Sequence, residues 1–236
     1  TVTFNAITLD MGTSNSNILD IQSVITMLND GLTITNGTFK LSSASTITPL
    51  TGNETIPSTG GLWNNGGTIN TSGGDLILNG LFRNSSSGTT NIGAASGEEF
   101  RYNTGSTVTI EGGTVNLADA LRPDGTGGGL DATTYNQSGG TLTVGISGLA
   151  SNATGAFDLS STSSSFTMSD GTIAIRRANG NFAGADYLVL ATTNNVTGGT
   201  IQIGDASTPA SQTIDINSTS PVYNLTVSST NSPVAR

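Results

Sequence analysis

Apolar side chains recur at every second position in short segments along most of the chain. In Leu142-Thr143-Val144, for example, two apolar residues flank a threonine, and Gly139-Gly140-Thr141 comes directly before them. Because the side chains of a β-strand alternate between two faces, this pattern predicts short strands with one buried face and one solvated face. Related glycine–threonine turns precede alternating segments at Asn36-Gly37-Thr38, Gly66-Gly67-Thr68, Gly112-Gly113-Thr114, Asp170-Gly171-Thr172 and Gly198-Gly199-Thr200.

The turns recur at intervals of about 21 to 31 residues, which is typical of stacked repeats. A single repeat cannot bury its own apolar face, whereas stacked repeats bury a continuous column. Most repeats hold one strand before the turn, one after it and a third further on. The third strands are predicted at Leu76/Leu78, Phe100/Tyr102, Phe157/Leu159, Leu188/Leu190 and Ile214/Ile216. We therefore predict an all-β fold, a right-handed parallel β-helix (β-solenoid) with about three short strands per coil.

Glycine suits the predicted corners because it adopts positive φ and leaves room for the coils above and below. The following threonine re-enters the strand as a residue that favours β-structure. We assign a structural turn role to Gly66, Gly67, Gly112, Gly113, Gly139, Gly140, Gly171, Gly198 and Gly199.

The pattern divides the chain into an irregular or capping segment at 1–31, a β-helix at 32–227 and a polar tail or linker at 228–236. Within the first segment, 17–28 fits either a helix or two short strands, and we favour strands because everything that follows is β. The segment 48–57 contains two prolines, and we expect it to leave the stack between coils.

Composition excludes several classes of function. The net charge is −9 and the seven basic residues are scattered, so neither nucleic acid nor an anionic membrane is an expected partner. With no cysteine and no histidine, the chain has no disulfides, thiol nucleophiles, common zinc sites or Ser-His-Asp triads. No apolar run is long enough for membrane insertion, and no signal peptide begins at Thr1, so we interpret the chain as a mature or internal piece of a larger protein.

The repeats resemble a known class of bacterial sequence. The segment 135–144, Tyr-Asn-Gln-Ser-Gly-Gly-Thr-Leu-Thr-Val, is similar to repeats of autotransporter-like passenger regions, which form right-handed parallel β-helices. The segments 197–204, 211–214 and 223–227 resemble repeats of large secreted surface proteins of Bacteroidota, including gliding-motility adhesins exported by the type IX system. The resemblance spans roughly 32 to 230, and it implies an extracellular or cell-surface location. Neither an outer-membrane barrel nor a type IX sorting domain accompanies it, so the export route is implied by analogy alone.

Candidate sites for chemistry are few. Glu98 and Glu99 are adjacent, so their side chains would diverge in a strand. Asp119, Asp124 and Asp131 lie near one long loop with Arg122, which is the best acidic cluster for a carbohydrate-active enzyme. We interpret this cluster as a solvated loop, and we expect no enzymatic activity.

Calcium is the only cofactor that the sequence suggests. The segment 127–131, Gly-Gly-Gly-Leu-Asp, resembles half of a calcium-binding nonapeptide, with Asp124 and Asp131 as the candidate ligands. Tandem copies are needed for successive turns to share ions, and this chain has one imperfect copy. The alternative is a flexible glycine loop without metal.

Two kinds of surface site remain. Aromatic residues stack on sugars, and Trp63 should point outward because its neighbour Leu62 points inward, so Trp63 is the candidate glycan-binding residue. Tyr102, Tyr135, Tyr187 and Tyr223 mostly fit core positions. Ice binding would require rows of outward threonines, and the outward position two residues after each turn threonine holds no such row: Lys40, Asn70, Asn91, Asn116, Thr143, Ala174 and Gln202.

The sequence therefore favours a non-enzymatic structural or adhesive segment of a bacterial surface protein, acting as a stiff stalk or filament. The alternatives are a carbohydrate-active β-helix enzyme, such as a lyase or glycosidase, and a glycan-binding module. The expected partners are surface glycans or other copies or segments of the same surface protein.

Overall fold

The computed structural model describes residues 1–28, 31–125, 131–149, 155–179, 184–228 and 231–236, without the side chains of 48–50. Within these ranges every regular element is a β-strand. The strands are β1 (Val2–Phe4), β2 (Ile7–Asp10), β3 (Ile18–Ile21), β4 (Ile25–Met27), β5 (Leu32–Leu41), β6 (Thr46–Thr51), β7 (Glu54–Ile56), β8 (Gly60–Asn64), β9 (Thr68–Ser72), β10 (Leu76–Leu78), β11 (Leu81–Asn84), β12 (Thr89–Ile92), β13 (Phe100–Tyr102), β14 (Ser106–Ile110), β15 (Thr114–Leu117), β16 (Leu121–Pro123), β17 (Thr133–Val144), β18 (Phe157–Leu159), β19 (Ser165–Ile175), β20 (Tyr187–Val189), β21 (Thr193–Val196), β22 (Thr200–Ile203), β23 (Thr213–Ile214), β24 (Ile216–Ser218), β25 (Asn224–Val227) and β26 (Val234–Ala235).

The strands stack in parallel into three columns, which are the three sides of a β-solenoid of about nine turns. Column A contains β7, β10, β13, β16, β18, β20 and β24. Column B contains β3, the second half of β5, β8, β11, β14, the first halves of β17 and β19, and β21. Column C contains β6, β9, β12, β15, the second halves of β17 and β19, β22 and β25. The predicted all-β parallel solenoid with three strands per coil is confirmed.

One residue in two along each column points into a shared apolar core, as the alternation predicts. In column C, for example, Val115, Leu142 and Ile173 occupy equivalent positions on successive strands, and each is almost fully buried. Aromatic rings stack in the middle coils, where the ring centroids of Phe157 and Tyr187 are 5.5 Å apart. Each buried side chain of this size contributes about 1.5 to 3 kcal/mol, so the continuous core is the main stabilising feature.

The predicted glycine corners join column B to column C. Gly113 has a φ of 65°, and a Cβ atom there would overlap the carbonyl oxygen of Gly88 in the preceding coil. The turn at Gly37 lies at a different corner, because Gly37 is in register with Gly60 at the start of column B. The glycine–threonine pattern therefore marks both the corners between columns B and C and, at Gly37, a corner at the start of column B.

Buried amide side chains support the B–C corners from inside, a feature that the sequence pattern did not reveal. Asn64 accepts hydrogen bonds from the N–H groups of Gly66 and Gly67, at 3.3 and 3.1 Å, and donates to the carbonyl of Thr89 at 2.9 Å. Asn84 donates to the carbonyls of Gly88 and Gly112 at 3.0 and 2.8 Å. These bonds link the backbone of one corner to that of the next coil, in addition to backbone bonds such as that from the Thr114 N–H to the Gly88 carbonyl.

Two expectations are corrected by the strand positions. In β20, Tyr187 and Val189 occupy the positions equivalent to Phe157 and Leu159, so the predicted inward pair Leu188/Leu190 is wrong by one residue. The segment 48–57 does not leave the stack, since β6 and β7 pass through it. The pairing of β6 shifts register between Ile47 and Leu50, in the stretch that contains Pro49.

The two ends of the chain also carry strands. The segment 17–28 forms β3 and β4, so the favoured strand interpretation is confirmed over the helix. β1 pairs with β4, β2 pairs with β5, and β26 pairs with β23, all in parallel. Parallel pairing thus reaches into both segments that we predicted to be irregular or linker-like, although the three-part division itself stays a prediction.

Candidate functional site

Column A carries a ladder of acidic and amide residues just before its strands. The side chain of Asn53 accepts a hydrogen bond from the N–H of Asp75 at 3.0 Å, and the Asp75 carboxylate accepts one from the N–H of Glu99 at 2.8 Å. Further along, Asp186 accepts one from the N–H of Asp215 at 2.9 Å. Each of these side chains thus satisfies the backbone of the next coil, which links neighbouring coils at this edge.

Two arginines join this ladder into the largest charged cluster of the described chain. Arg101 contacts Asp75 at 2.9 Å, Glu99 at 2.8 Å and Asp124 at 3.6 Å, and Arg122 contacts the same oxygen of Glu99 at 2.5 Å. The Glu99 side chain is only 1% exposed. We call Asp75, Glu99, Arg101, Arg122 and Asp124 the column A cluster.

Within the cluster, burial and ion pairing shift the pKa values of the side chains in opposite directions. Burial raises the pKa of Asp75, although the Glu99 N–H and the Arg101 charge partly offset that rise. Burial alone would lower the pKa of Arg101, but the hydrogen bond and charge of Glu99 raise it above its ordinary value, so Arg101 stays charged. Every carboxylate of the cluster contacts a guanidinium, an arrangement that suits structural pairing more than proton transfer.

The structure separates the acidic residues that the sequence grouped together. Of the predicted trio, only Asp124 joins the column A cluster. Asp119 is buried and accepts a hydrogen bond from the N–H of Gly97 at 2.6 Å, while Asp131 accepts one from the Thr104 hydroxyl at 3.1 Å. The sequence analysis set Glu99 aside and did not consider Arg101, because only the coil register places Glu99 beside Asp75.

The predicted calcium site is described only in part, since 126–130 lie outside the described residues. Asp131 accepts a hydrogen bond from the Gly125 N–H at 3.0 Å, and Asp124 accepts one from the Asn103 amide at 3.3 Å. Elsewhere in the described ranges, no group of three or more acidic residues is placed to hold a metal ion. Calcium binding by Asp124 and Asp131 stays a prediction.

Trp63 points outward as expected, but its ring lies between two cations. The Lys40 ammonium is 4.3 Å from the ring centroid and the Arg83 guanidinium carbon is 3.9 Å from it. Lys40 and Arg83 occupy the equivalent positions on the strands either side, so they approach the indole from both sides. A sugar could stack on Trp63 only by displacing a cation, and its ligand-binding role stays a prediction.

Lys40 and Arg83 each also form an ion pair with an acidic side chain. Lys40 pairs with Asp20 at 3.0 Å, and Arg83 makes a two-bond pair with Glu111 at 2.9 and 3.0 Å. Of the other aromatic candidates, Tyr102, Tyr135 and Tyr187 are fully buried, whereas Tyr223 is exposed at the end of the stack.

Column C carries an outward threonine row that the sequence analysis missed. Its members are in register on seven successive strands and are exposed or partly exposed: Thr46, Thr68, Thr89, Thr114, Thr141, Thr172 and Thr200. None of their hydroxyls hydrogen-bonds to another described residue. Two residues further along each strand, Asn70, Asn91 and Asn116 form a ladder of amide side chains with hydrogen bonds of 2.7 and 2.8 Å. The threonines of the turns themselves form the row.

No known protein family, curated protein or solved structure matches this chain. In the part of the chain that the structure describes, no helix is long and apolar enough to cross a membrane. The geometry of the fold and of its polar rows is therefore the basis for a functional proposal.

We expect Arg101→Gln to lower the free energy of unfolding by about 1 to 3 kcal/mol, because it leaves the buried Glu99 with one cation fewer. Arg83→Gln is the matched control, since Arg83 and Glu111 are each about one-third exposed, and it should cost at most about 1 kcal/mol. Urea unfolding followed by circular dichroism gives both values. Equal losses would show that the column A cluster is no more important than a surface pair.

We expect the stability of Asp158→Asn relative to wild type to increase as the pH rises. Burial raises the pKa of Asp158, which receives hydrogen bonds from the N–H groups of Ser160 and Gly155 at 2.8 and 3.3 Å. The folded state therefore prefers the protonated acid. The stability that this group contributes is fully present below the unfolded pKa of about 3.9 and is lost as the pH rises through the folded pKa.

Asparagine does not titrate, so the stability of Asp158→Asn relative to wild type should grow as the pH rises from about 4 through the folded pKa of Asp158. Denaturant unfolding at several pH values measures it. Asp170→Asn, at an exposed position, is the control substitution. A difference for Asp158→Asn that stays constant or shrinks would contradict the assigned direction of the pKa shift.

Proposed function

We propose that this chain is a non-enzymatic structural segment, a stiff rod that forms part of an extracellular bacterial surface protein. The observation that carries the proposal is the uninterrupted apolar core, which runs through all three columns from the first coils to the last. About nine turns with a rise of about 4.8 Å each give a rod about 40 Å long. A rod of this kind would hold adhesive parts away from a cell.

The charged side chains support a structural role. Six of the seven basic residues are ion-paired, and the seventh, Arg177, donates to the carbonyls of Gly145 and Ile146. Such cations are poorly placed to bind phosphate groups of nucleic acid or lipid. The likeness of the glycine–threonine repeats to secreted adhesins, including those of gliding bacteria, supports a location outside the cell.

Pulling single molecules from the two ends tests the rod. Because each coil contacts only its neighbours, we expect a series of unfolding steps rather than one. Equivalent residues in neighbouring coils are separated by 20 residues from Leu62 to Phe82 and by 31 residues from Tyr135 to Phe166. Each step should therefore release about 70 to 105 Å of chain. Featureless extension at low force would contradict a load-bearing rod.

A glycan-array screen with and without calcium separates a passive rod from an adhesin. Binding that Trp63→Ala abolishes would assign adhesion to the surface around Trp63. Calcium-dependent binding that Asp131→Asn abolishes would assign it to the loop that contains Asp124 and Asp131. Absence of binding under both conditions supports the passive rod, and cleavage of an arrayed glycan would favour the enzyme alternative.

Adsorption to ice is a second candidate function, favoured by the threonine row of column C. In tetrahedral water with hydrogen bonds of about 2.75 Å, oxygens that share a neighbour lie about 4.5 Å apart. The threonine hydroxyls repeat at the strand spacing of about 4.8 Å, so the mismatch grows by only about 0.3 Å per coil. Several consecutive hydroxyls can then occupy water positions at an ice surface.

An ice-recrystallisation assay tests this second candidate. Thr141→Lys should abolish any inhibition of crystal growth, because a long charged side chain interrupts the row. Thr134→Lys, on column B of the same coil, should leave the inhibition unchanged. An inactive wild-type protein, or equal effects of the two substitutions, would remove ice binding from consideration.

A further inference from the structure

In most of the rod, neighbouring coils are joined by strand pairing in all three columns. Coil 1 contains β3, β4 and the first half of β5, and coil 2 contains the second half of β5, β6 and β7. Coil 2 pairs with the next coil through β5–β8, β6–β9 and β7–β10, and the middle coils continue in the same way. Among the described strands, coils 1 and 2 pair in column B alone, through β3 and β5.

The sheets on the other two sides are interrupted at this boundary. β1 and β4 form a sheet of their own, which lies against β6 of column C, and the Ile25 N–H donates to the Ser45 hydroxyl at 2.8 Å. The sheet of column A begins with β7, whereas the first half of β5 pairs with β2. A small cavity there is lined by Leu32 and Ile34 of coil 1 and by Ile56 of coil 2. Coils 1 and 2 therefore share fewer backbone hydrogen bonds than the coils that follow.

The sequence of coil 2 accounts for part of this interruption. Pro49 lies within β6, and Pro57 directly follows β7. Proline has no N–H to donate, so it is tolerated in a sheet mainly where a strand is unpaired on one side. The two prolines thus leave the segment 48–57 in the stack, but with ladders to the following coil only.

The boundary lies inside the chain and has paired strands on both sides. Before it, β1 pairs with β4, and β2 pairs with the first half of β5. Coil 1 is therefore tied to the strands that precede it by two ladders and to coil 2 by one. In a stack where each coil contacts only its neighbours, opening is easiest at the interface with the fewest interactions.

We propose that the boundary between coils 1 and 2 is a joint, at which β1 to β4 and the first half of β5 open away from the rod as one unit. Opening would break the single ladder of column B and leave the coils from coil 2 onward folded. A joint of this kind would let a loaded rod yield at one place before its other coils unfold. That use rests on the proposed rod, whereas the opening itself can be measured without load.

Hydrogen exchange of individual amides, followed by NMR, tests the joint. One backbone hydrogen bond recurs at four successive boundaries: Ser42 N–H to the Ile21 carbonyl at 3.0 Å, then Asn65 to Leu41, Ser85 to Asn64 and Glu111 to Asn84, each at 2.8 Å. After correction for intrinsic rates, we expect the Ser42 amide to exchange at least about 100-fold faster than the Asn65 and Ser85 amides, because two ladders are missing at its boundary. Equal protection of Ser42, Asn65 and Ser85 would overturn the joint.

The Leu28 amide separates the joint from fraying that starts at Thr1. Its N–H donates to the Phe4 carbonyl at 3.0 Å, across the boundary that precedes coil 1. If the first strands open as one unit, the Leu28 amide should exchange no faster than the Ser42 amide. A Leu28 amide that exchanges much faster than Ser42 would show stepwise fraying and would also overturn the joint.

A pair of substitutions tests the boundary directly. Ser45→Ala removes the acceptor of the Ile25 N–H, so it should raise the exchange rate of Ser42 by about 5- to 10-fold and leave Ser85 unchanged. Thr71→Val is the matched control, because the Thr71 hydroxyl accepts a hydrogen bond from the Gly93 N–H at 3.0 Å across a boundary that is paired in all three columns. It should leave Ser42 unchanged.

The outcomes for the joint and for the rod are distinct. An unchanged Ser42 rate in Ser45→Ala, or an equal change in Thr71→Val, would contradict the joint and leave the rod intact. Weak protection of Asn65, Ser85 and Glu111 together would instead contradict the proposed rod, because its middle coils would then open as readily as its first.

Discussion

Replacing Gly140 with valine is expected to lower the free energy of unfolding by about 3 to 5 kcal/mol. Gly140 has a φ of 65°, which L side chains rarely adopt, and a Cβ atom would lie 2.7 Å from the carbonyl carbon of Gly112. The obstacle is the backbone of the neighbouring coil, which cannot rotate away as a side chain can. The damage should therefore spread to the stacking of both coils.

Thr143→Val is the matched control for this substitution. Thr143 lies three residues further along the same strand, points away from the core, and makes no hydrogen bond through its hydroxyl to another described residue. Its replacement should change stability by no more than about 1 kcal/mol. Urea unfolding of both variants measures the contrast, and similar losses would contradict the corner assignment.

Replacing Leu142 with aspartate is expected to cost at least about 4 kcal/mol, and it has the largest effect that we anticipate. Leu142 is 1% exposed between Val115 and Ile173, so the substitution removes a core side chain and buries a charge that has no partner. Thermal unfolding should begin at a lower temperature.

The neighbouring residue Thr141 provides a control, because its side chain points away from the core. Thr141 precedes Leu142 and points outward in the threonine row, so Thr141→Asp should cost less than about 1 kcal/mol. Limited proteolysis adds a local measurement, because Leu142→Asp should expose cleavage sites in the coils on either side. Equal stability of the two variants would contradict the assignment of the inward and outward faces.

The architecture was predictable because one coil repeats the same simple pattern many times. Phe100 and Tyr102 alternate with Arg101, so the inward face follows from a period of two. Tyr187-Leu188-Val189-Leu190 is apolar throughout and carries no such signal. Its facing depends on the register with Phe157 and Leu159, which the sequence alone does not provide, and the prediction was wrong by one residue.

The polar rows were harder to predict because they depend on register between coils of unequal length. Glu99 meets Asp75 and Arg122 only once the coils are aligned, and Arg101, two residues further along, does not by itself indicate that Glu99 is buried. The threonine row was missed for a different reason. We placed Thr114 and its equivalents at the start of the strand but took only the position two residues later as outward, whereas these threonines also point outward.

The difference between short and long coils bears on how such a chain can change over generations. A coil from Leu62 to Phe82 spans 20 residues and one from Tyr135 to Phe166 spans 31, yet both place their strands in the same columns. Insertions between strands are thus absorbed without disturbing the core. One residue gained inside a strand would exchange its two faces. Gain or loss of a whole coil would alter only the reach of the rod, so recombination between repeats is the change that a lineage can most readily keep.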